Sequence, residues 1–197
     1  LAYTLLEPSF AAVHDEPREI RAKAGRLLIA LGGDDPFFLT RKTLAALELV
    51  PEILEVTVVI GPAFLDTDEV KQAARNSRHR CVCLHDVRTM AQLMQDTDVA
   101  LVGGGLTALE AACAGVPAVI ICEVDHQVET AEALEAAGTA RHTGLATGAS
   151  VESIAALVQA VRQDAEGRRR MSVAGKSLVD GRGLDRVADA LMEILAR

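Results

Sequence analysis

Five short apolar runs, and a weaker sixth, divide this chain into strand-length pieces separated by turn residues and helix-length segments. The runs are Arg26–Leu31, Val56–Ile60, Arg80–Leu84, Val99–Val102, Pro117–Cys122 and the shorter Thr139–His142. Thr139–His142 holds a single apolar residue and reads only as a short sixth strand; within the first five, apolar residues predominate. A strand of that kind is buried on both faces, as in a parallel sheet covered by helices on each side. Helical patterns fill the gaps over Leu39–Val50, Asp66–Asn76, Thr89–Gln95, Leu106–Ala114 and Val128–Ala137, the last two stopped by Gly115 and Gly138. Three more helices follow, from Ser150 (a side chain suited to an N-cap) to Asp164, from Gly167 to Val179 and from Gly183 to Leu195. The alternation predicts a doubly wound α/β domain with a parallel sheet, Rossmann-like, over residues 26–197. Residues 1–25 carry Pro8, Pro17 and scattered charges without a sustained period, and read as a linker from a missing N-terminal domain.

Charge and composition exclude several classes. The 28 acidic residues outnumber the 20 basic ones, for a net charge of −8, which gives nucleic acid no electrostatic foothold. Five aromatic residues and no Trp leave no base-stacking platform. No apolar run reaches 18 residues, so no membrane span is expected. Cys81, Cys83, Cys113 and Cys122 have no zinc spacing and read as small core residues of a cytoplasmic protein. The chain begins with Leu and shows no signal-peptide pattern, and it reads as a fragment of a longer protein or as a separately encoded subunit.

Ligands of an open parallel sheet gather at the carboxyl ends of its strands. Two loops there are rich in glycine: Gly32-Gly33-Asp34-Asp35 after the first run, and Gly103-Gly104-Gly105-Leu106-Thr107 after the fourth. Each leads into a helix, whose N-terminal amides favour phosphate, and the pair suggests a diphosphate between them; tight turns are the plainer reading. The G-x-G-x-x-G, G-x-x-x-x-G-K-[ST] and G-x-S-x-G patterns are all absent, which disfavours NAD, a P-loop and a serine nucleophile elbow. Glu110 lies early in the helix after the glycines and can accept both hydroxyls of a ribose, or serve only as a dipole-favoured acid. His126 and Gln127 follow the fifth run and should border the same cleft, unless His126 is a plain surface residue. His85-Asp86 suits a local turn, His14, His79 and His142 show no partners, and Arg168-Arg169-Arg170 reads as a solvated helix face.

The stretch Gly103-Gly104-Gly105-Leu106-Thr107-Ala108-Leu109-Glu110-Ala111-Ala112-Cys113-Ala114-Gly115-Val116-Pro117-Ala118 resembles the nucleotide-sugar-binding, C-terminal half of the GT-B glycosyltransferase architecture. In pattern it is similar to the lipid II-forming N-acetylglucosaminyltransferases and to the UDP-sugar hydrolases of pseudaminic acid biosynthesis, which are grouped with spore-coat polysaccharide proteins. Leu31–Pro36, Val58–Pro62 and Asp180-Gly181-Arg182-Gly183 fit the hydrolase group best. The resemblance implies a UDP-sugar ligand and no cofactor or metal. The uracil maps to the backbone near Val87, the ribose to Glu110, and the diphosphate to Gly104, Gly105, Leu106 and Thr107, with Gly33 and Asp34 on the other wall. The polar position after the fifth run maps to Gln127, beside His126. Gly-Gly-Asp stands where relatives often carry Gly-Gly-Ser, and the glycine triplet has no Ser or Thr where many relatives place one. The resemblance further implies a catalytic base in the missing N-terminal domain. Hydrolysis of the UDP-sugar, transfer to an acceptor and non-catalytic binding in a split transferase all remain open at this point.

Overall fold

A computed structural model describes residues 1–196. Six strands form one parallel sheet in the order β3-β2-β1-β4-β5-β6. They are β1 (Arg26–Ala30), β2 (Glu55–Ile60), β3 (Arg80–His85), β4 (Val99–Gly103), β5 (Ala118–Cys122) and β6 (Ala140–Leu145). The connecting helices are α2 (Leu39–Leu47), α3 (Thr67–Asn76), α4 (Met90–Gln95), α5 (Leu106–Cys113) and α6 (Asp125–Ala136). After β6 come α7 (Val151–Gln163), α8 (Ala165–Leu178) and α9 (Gly183–Leu195).

The continuous apolar strands serve two separate cores. Ile29, Val58, Leu101 and Val119 stand side by side across four strands and point to one face, where α2, α3 and α7 cover them. Leu28, Ala100, Ala118 and Ile120 point to the other, under α4, α5 and α6. Because successive strand residues face opposite sides, the central strands β1, β4 and β5 need apolar residues at nearly every position to fill both cores, while β3 and β6 at the sheet edges are less buried. Small residues dominate the second core (Ala108, Ala111, Ala112), and α8 approaches so closely that a Cβ on Gly175 would lie 2.6 Å from the Ala112 carbonyl oxygen. Ser150 caps α7, accepting a hydrogen bond from the Ser153 amide at 3.1 Å. Cys81 and Cys83 pack half-buried against the first core, Cys113 and Cys122 are buried, and all four are free thiols. No helix among the described residues is long and apolar enough to cross a membrane.

Three expectations need correction. Residues 1–25 are built into the domain: α1 (Ser9–Asp15) places Phe10, fully buried, in the second core. A helix of seven residues with two buried positions leaves too little period to detect. Beyond it, the Arg18 guanidinium donates to the carbonyls of Met94 (3.0 Å), Ala114 (3.4 Å) and Thr97, and Asp98 accepts from Arg21 and from the amides of Gly25 and Arg26. Arg18 thus spends its charge on the C-terminal ends of α4 and α5, and burial lowers its pKa to about 10. Arg168 is likewise not part of a solvated face. It is 1% exposed and donates to the carbonyls of Val161, Arg162, Arg21 and Ala22, which places its charge at the C-terminal end of α7. Arg169 and Arg170 remain exposed. His79, without evident partners in the sequence, is buried between the Leu47 carbonyl (2.7 Å from Nε2) and the Leu54 amide, which donates to Nδ1.

Candidate functional site at the carboxyl edge of the sheet

A cleft of about 580 Å³ opens where β1, β2 and β4 end and the loop after β3 begins. Its walls include Gly32 and Gly33 from the β1 loop, Gly61 and Pro62 after β2, Val87 and Arg88 after β3, and Thr107 and Glu110 from α5. Four of the expected site residues, Gly33, Val87, Thr107 and Glu110, therefore meet in one place. The β1 and β2 loops are locked together. The Ala63 amide donates to the Gly33 carbonyl at 2.9 Å, and a Cβ on Gly61 would overlap that same carbonyl. Gly61, Pro62, Arg88 and Met90 also line the cleft. Sequence reasoning passed over them as site residues, although the turn at Gly61-Pro62 marks a strand end on the same edge.

The helix ends behind the two glycine loops differ. At α2, the Asp35 carboxylate, 3% exposed, accepts from the amides of Leu39 and Thr40, both at 2.7 Å. That N-terminus is already occupied by a negative charge of the chain itself, so the expectation that it offers amides to phosphate is corrected. At α5, Gly105 is the N-cap and no side chain caps the helix. The Ala108 amide donates to the Gly105 carbonyl at 3.2 Å, which leaves the amides of Leu106 and Thr107 for an acceptor, and a Cβ on Gly105 would meet nothing within 4 Å. Leu106 is half exposed beside it.

Glu110 sits one turn further along α5. Burial pushes its carboxyl above the ordinary range, the nearby Glu7 carboxylate pushes it further, and a hydrogen bond with Thr107 opposes both. Glu7 belongs to the N-terminal segment, so that segment touches the electrostatics of the cleft. Gln127 acts on the loops rather than as a free side chain. Its Oε1 accepts from the amides of Glu123 (2.8 Å) and Gly104 (3.4 Å), tying the β5 loop to the glycine triplet. Gly104 is tight for this reason, with a Cβ there falling 2.6 Å from the Gln127 Cβ. His126 is exposed in the first turn of α6, and Asp34 is exposed in the β1 loop; neither lines the cleft. The Glu123 carboxyl is raised first by burial and then by the charges of Asp35 and Asp34, with a hydrogen bond to Gln127 opposing them. Glu123 Oε1 is buried without a hydrogen-bond partner among the described residues. No group of three or more His, Cys, Asp or Glu among the described residues is placed to hold a metal ion.

The cleft thus reaches the uncapped first turn of α5 at Thr107, with Glu110 one turn along and a backbone wall after β3, while Gly104, Gly105, Leu106 and Gln127 stand outside its lining. On a parallel sheet of order 3-2-1-4-5-6 this is the fold of the C-terminal nucleotide-binding domain of GT-B proteins. MurG of Acinetobacter baumannii superposes with a TM-score of 0.73 at 17% identity, covering 93% of this chain and 53% of that one. HepE of Anabaena, solved with UDP and glucose, superposes with a TM-score of 0.66 at 14% identity, covering 97% of this chain and 54% of its own. In sequence, the chain is a homologue of SpsG, a spore coat polysaccharide biosynthesis protein of Bacillus subtilis (strain 168), with 30% identity over 194 residues. That alignment covers 98% of this chain and 57% of SpsG, so the chain spans little more than half the length of this relative. No protein-family model matches.

Proposed function

We propose that this chain is the UDP-binding part of a nucleotide-sugar hydrolase of the pseudaminic acid and spore-coat polysaccharide type. The observation that carries the reading is the meeting of the uncapped α5 N-terminus, Glu110 and the loop at Val87 around one cleft. Glu110 accepts the ribose hydroxyls, the α5 amides hold the diphosphate, and the backbone after β3 faces the uracil. Likeness in fold to a protein solved with UDP supports the nucleotide, and homology to SpsG supports polysaccharide biosynthesis as the setting.

In this reading water attacks the anomeric carbon and the bond from that carbon to the UDP oxygen breaks. UDP leaves with the electron pair, and a base outside these 197 residues takes the proton from water. The contribution of this chain is to stabilise charge on the departing diphosphate through amides already in position. A glycosyltransferase reading differs only in the nucleophile, an acceptor hydroxyl in place of water, and the likeness in fold to the rhamnosyltransferase SpnG supports it as the alternative.

Thermal unfolding with UDP, and with NAD and ADP as controls, tests the nucleotide. UDP at 100 times its dissociation constant adds about 2.7 kcal/mol, which raises Tm by roughly 5–10 °C for a domain of this size. A shift with NAD or ADP in place of UDP contradicts the proposal. Release of free sugar from a UDP-sugar without an acceptor, by the protein from the complete reading frame, separates hydrolysis from transfer.

A further inference from the structure

Arg88 is the sole basic side chain among the residues lining the cleft, where Asp86 and Glu110 are the acidic ones. It is exposed, and no hydrogen bond or ion pair ties its guanidinium to another described residue. Other basic side chains near this edge of the sheet are spent within the chain. Arg41 pairs with Asp66 at 2.7 Å, and Lys42 donates to the Ala146 carbonyl at 3.0 Å. The backbone turns sharply just before Val87 and Arg88. Asp86 takes a φ of 49°, a left-handed conformation that few residues other than glycine adopt.

The sheet order fixes which end of the cleft Arg88 serves. β3 lies three strand positions from β4, about 14 Å at the usual interstrand spacing. The loop after β3 and the first turn of α5 therefore stand at opposite ends. With the diphosphate at α5, Arg88 falls at the end left for the base. Ile60, Pro62, Val87 and Met90 line the cleft from the same side, apolar surfaces suited to the faces of a flat ring. The guanidinium brings five N–H donors and no acceptor to the edge of such a ring. Uracil presents a carbonyl oxygen, O4, where cytosine presents an amino group. A carbonyl accepts from the guanidinium, whereas an amino group meets it donor against donor.

We propose that Arg88 reads the base of the nucleotide, donating to O4 of uracil and so selecting uracil over cytosine. The inference rests on the nucleotide reading given above and adds a selective side chain to the backbone contact after β3.

Calorimetric titration of the 197-residue chain with UDP, CDP and TDP is the test, on the wild type and on Arg88→Ala. The wild type binds UDP about 10-fold or more tightly than CDP. Arg88→Ala weakens UDP, and TDP, which keeps O4, by about the same 10-fold. It leaves CDP unchanged, so the preference disappears. Tm without ligand stays the same, because the side chain is exposed and makes no bond within the chain. An equal loss for UDP and CDP in the variant puts Arg88 on the phosphates and overturns the proposal. Unchanged UDP affinity in the variant overturns it as well. A wild type that binds UDP and CDP alike loses the base selection alone, and one that binds none of the three loses the nucleotide reading along with it.

Discussion

The loops after β1 and β4 are near twins in sequence, each a glycine cluster between a buried strand and a helix, yet their helix ends present opposite charges to a ligand. After β1 the chain spends its own carboxylate, Asp35, on the first amides of α2. After β4 no side chain reaches the first amides of α5, and Gln127 ties down the loop without covering them. Glycine lets a backbone approach an anion closely, but whether it attracts one depends on whether the helix donors are still unpaired. The β1 loop is thus a shaped wall, reinforced by Gly61 and Ala63, and the α5 end is the electrostatic centre of the site.

Variants that act on one loop and not the other sharpen this difference. The largest effect is expected for Gly104→Ala. Its Cβ meets the Gln127 Cβ at 2.6 Å and backbone carbonyl oxygen at 2.8 Å, an overpacking that costs ~1–3 kcal/mol. Chemical denaturation reads the loss, and the UDP shift disappears with it because the α5 amides move. Glu110→Ala comes next. Losing a charged acceptor weakens UDP by about 1.5–3 kcal/mol, roughly a 10- to 100-fold rise in Kd by calorimetry, with no loss of stability in the free chain. Asp35→Ala does the reverse, lowering stability by about 1 kcal/mol through the lost cap while Kd for UDP stays the same. An equal loss of UDP affinity in Asp35→Ala and Glu110→Ala would erase the distinction between the loops.

The smallest expected effect is a pH dependence. Burial, then Glu7, raise the Glu110 carboxyl, so it protonates at a higher pH than a free glutamate. The ionised form is the one that accepts ribose hydroxyls. UDP affinity therefore falls as pH drops through that raised value, and Glu110→Gln abolishes the dependence. Stability of the free chain moves the other way. A carboxyl raised in the folded state favours the protonated form, so the fold gains stability as pH falls through the same range. Glu123 is raised as well. The stability change is therefore shared between the two, while the affinity change belongs to Glu110.

The strands were legible in the sequence because burial on both faces leaves a local mark, a run such as Leu27-Leu28-Ile29-Ala30 with no polar break. Helix ends were legible where one residue decides them, as Ser150 and Gly115 do. What stayed hidden depends on partners far along the chain. Arg168 beside two further arginines looks like any charged surface, until the chain returns Arg21 and Ala22 to it. Phe10 gives no pattern on a helix so short. Within the site, Gly33, Thr107 and Glu110 follow from the rule that strand ends gather ligands and Val87 from the family resemblance, and the structure brings the four to one cleft. The role of Asp35 was masked by the glycines before it, since an acid four residues ahead of Leu39 is equally a cap or a loop charge. Gln127 shows how a residue placed near the site by sequence spends its side-chain oxygen holding two loops together.

Amide chemical shifts of the 15N-labelled chain, followed through a UDP titration, test the central claim most directly. The account predicts saturable shifts at Leu106 and Thr107, at the start of α5, and at Val87, with Leu39 and Thr40 unmoved because Asp35 already holds them. Shifts at Leu39 and Thr40 with none at Leu106 and Thr107 would contradict it.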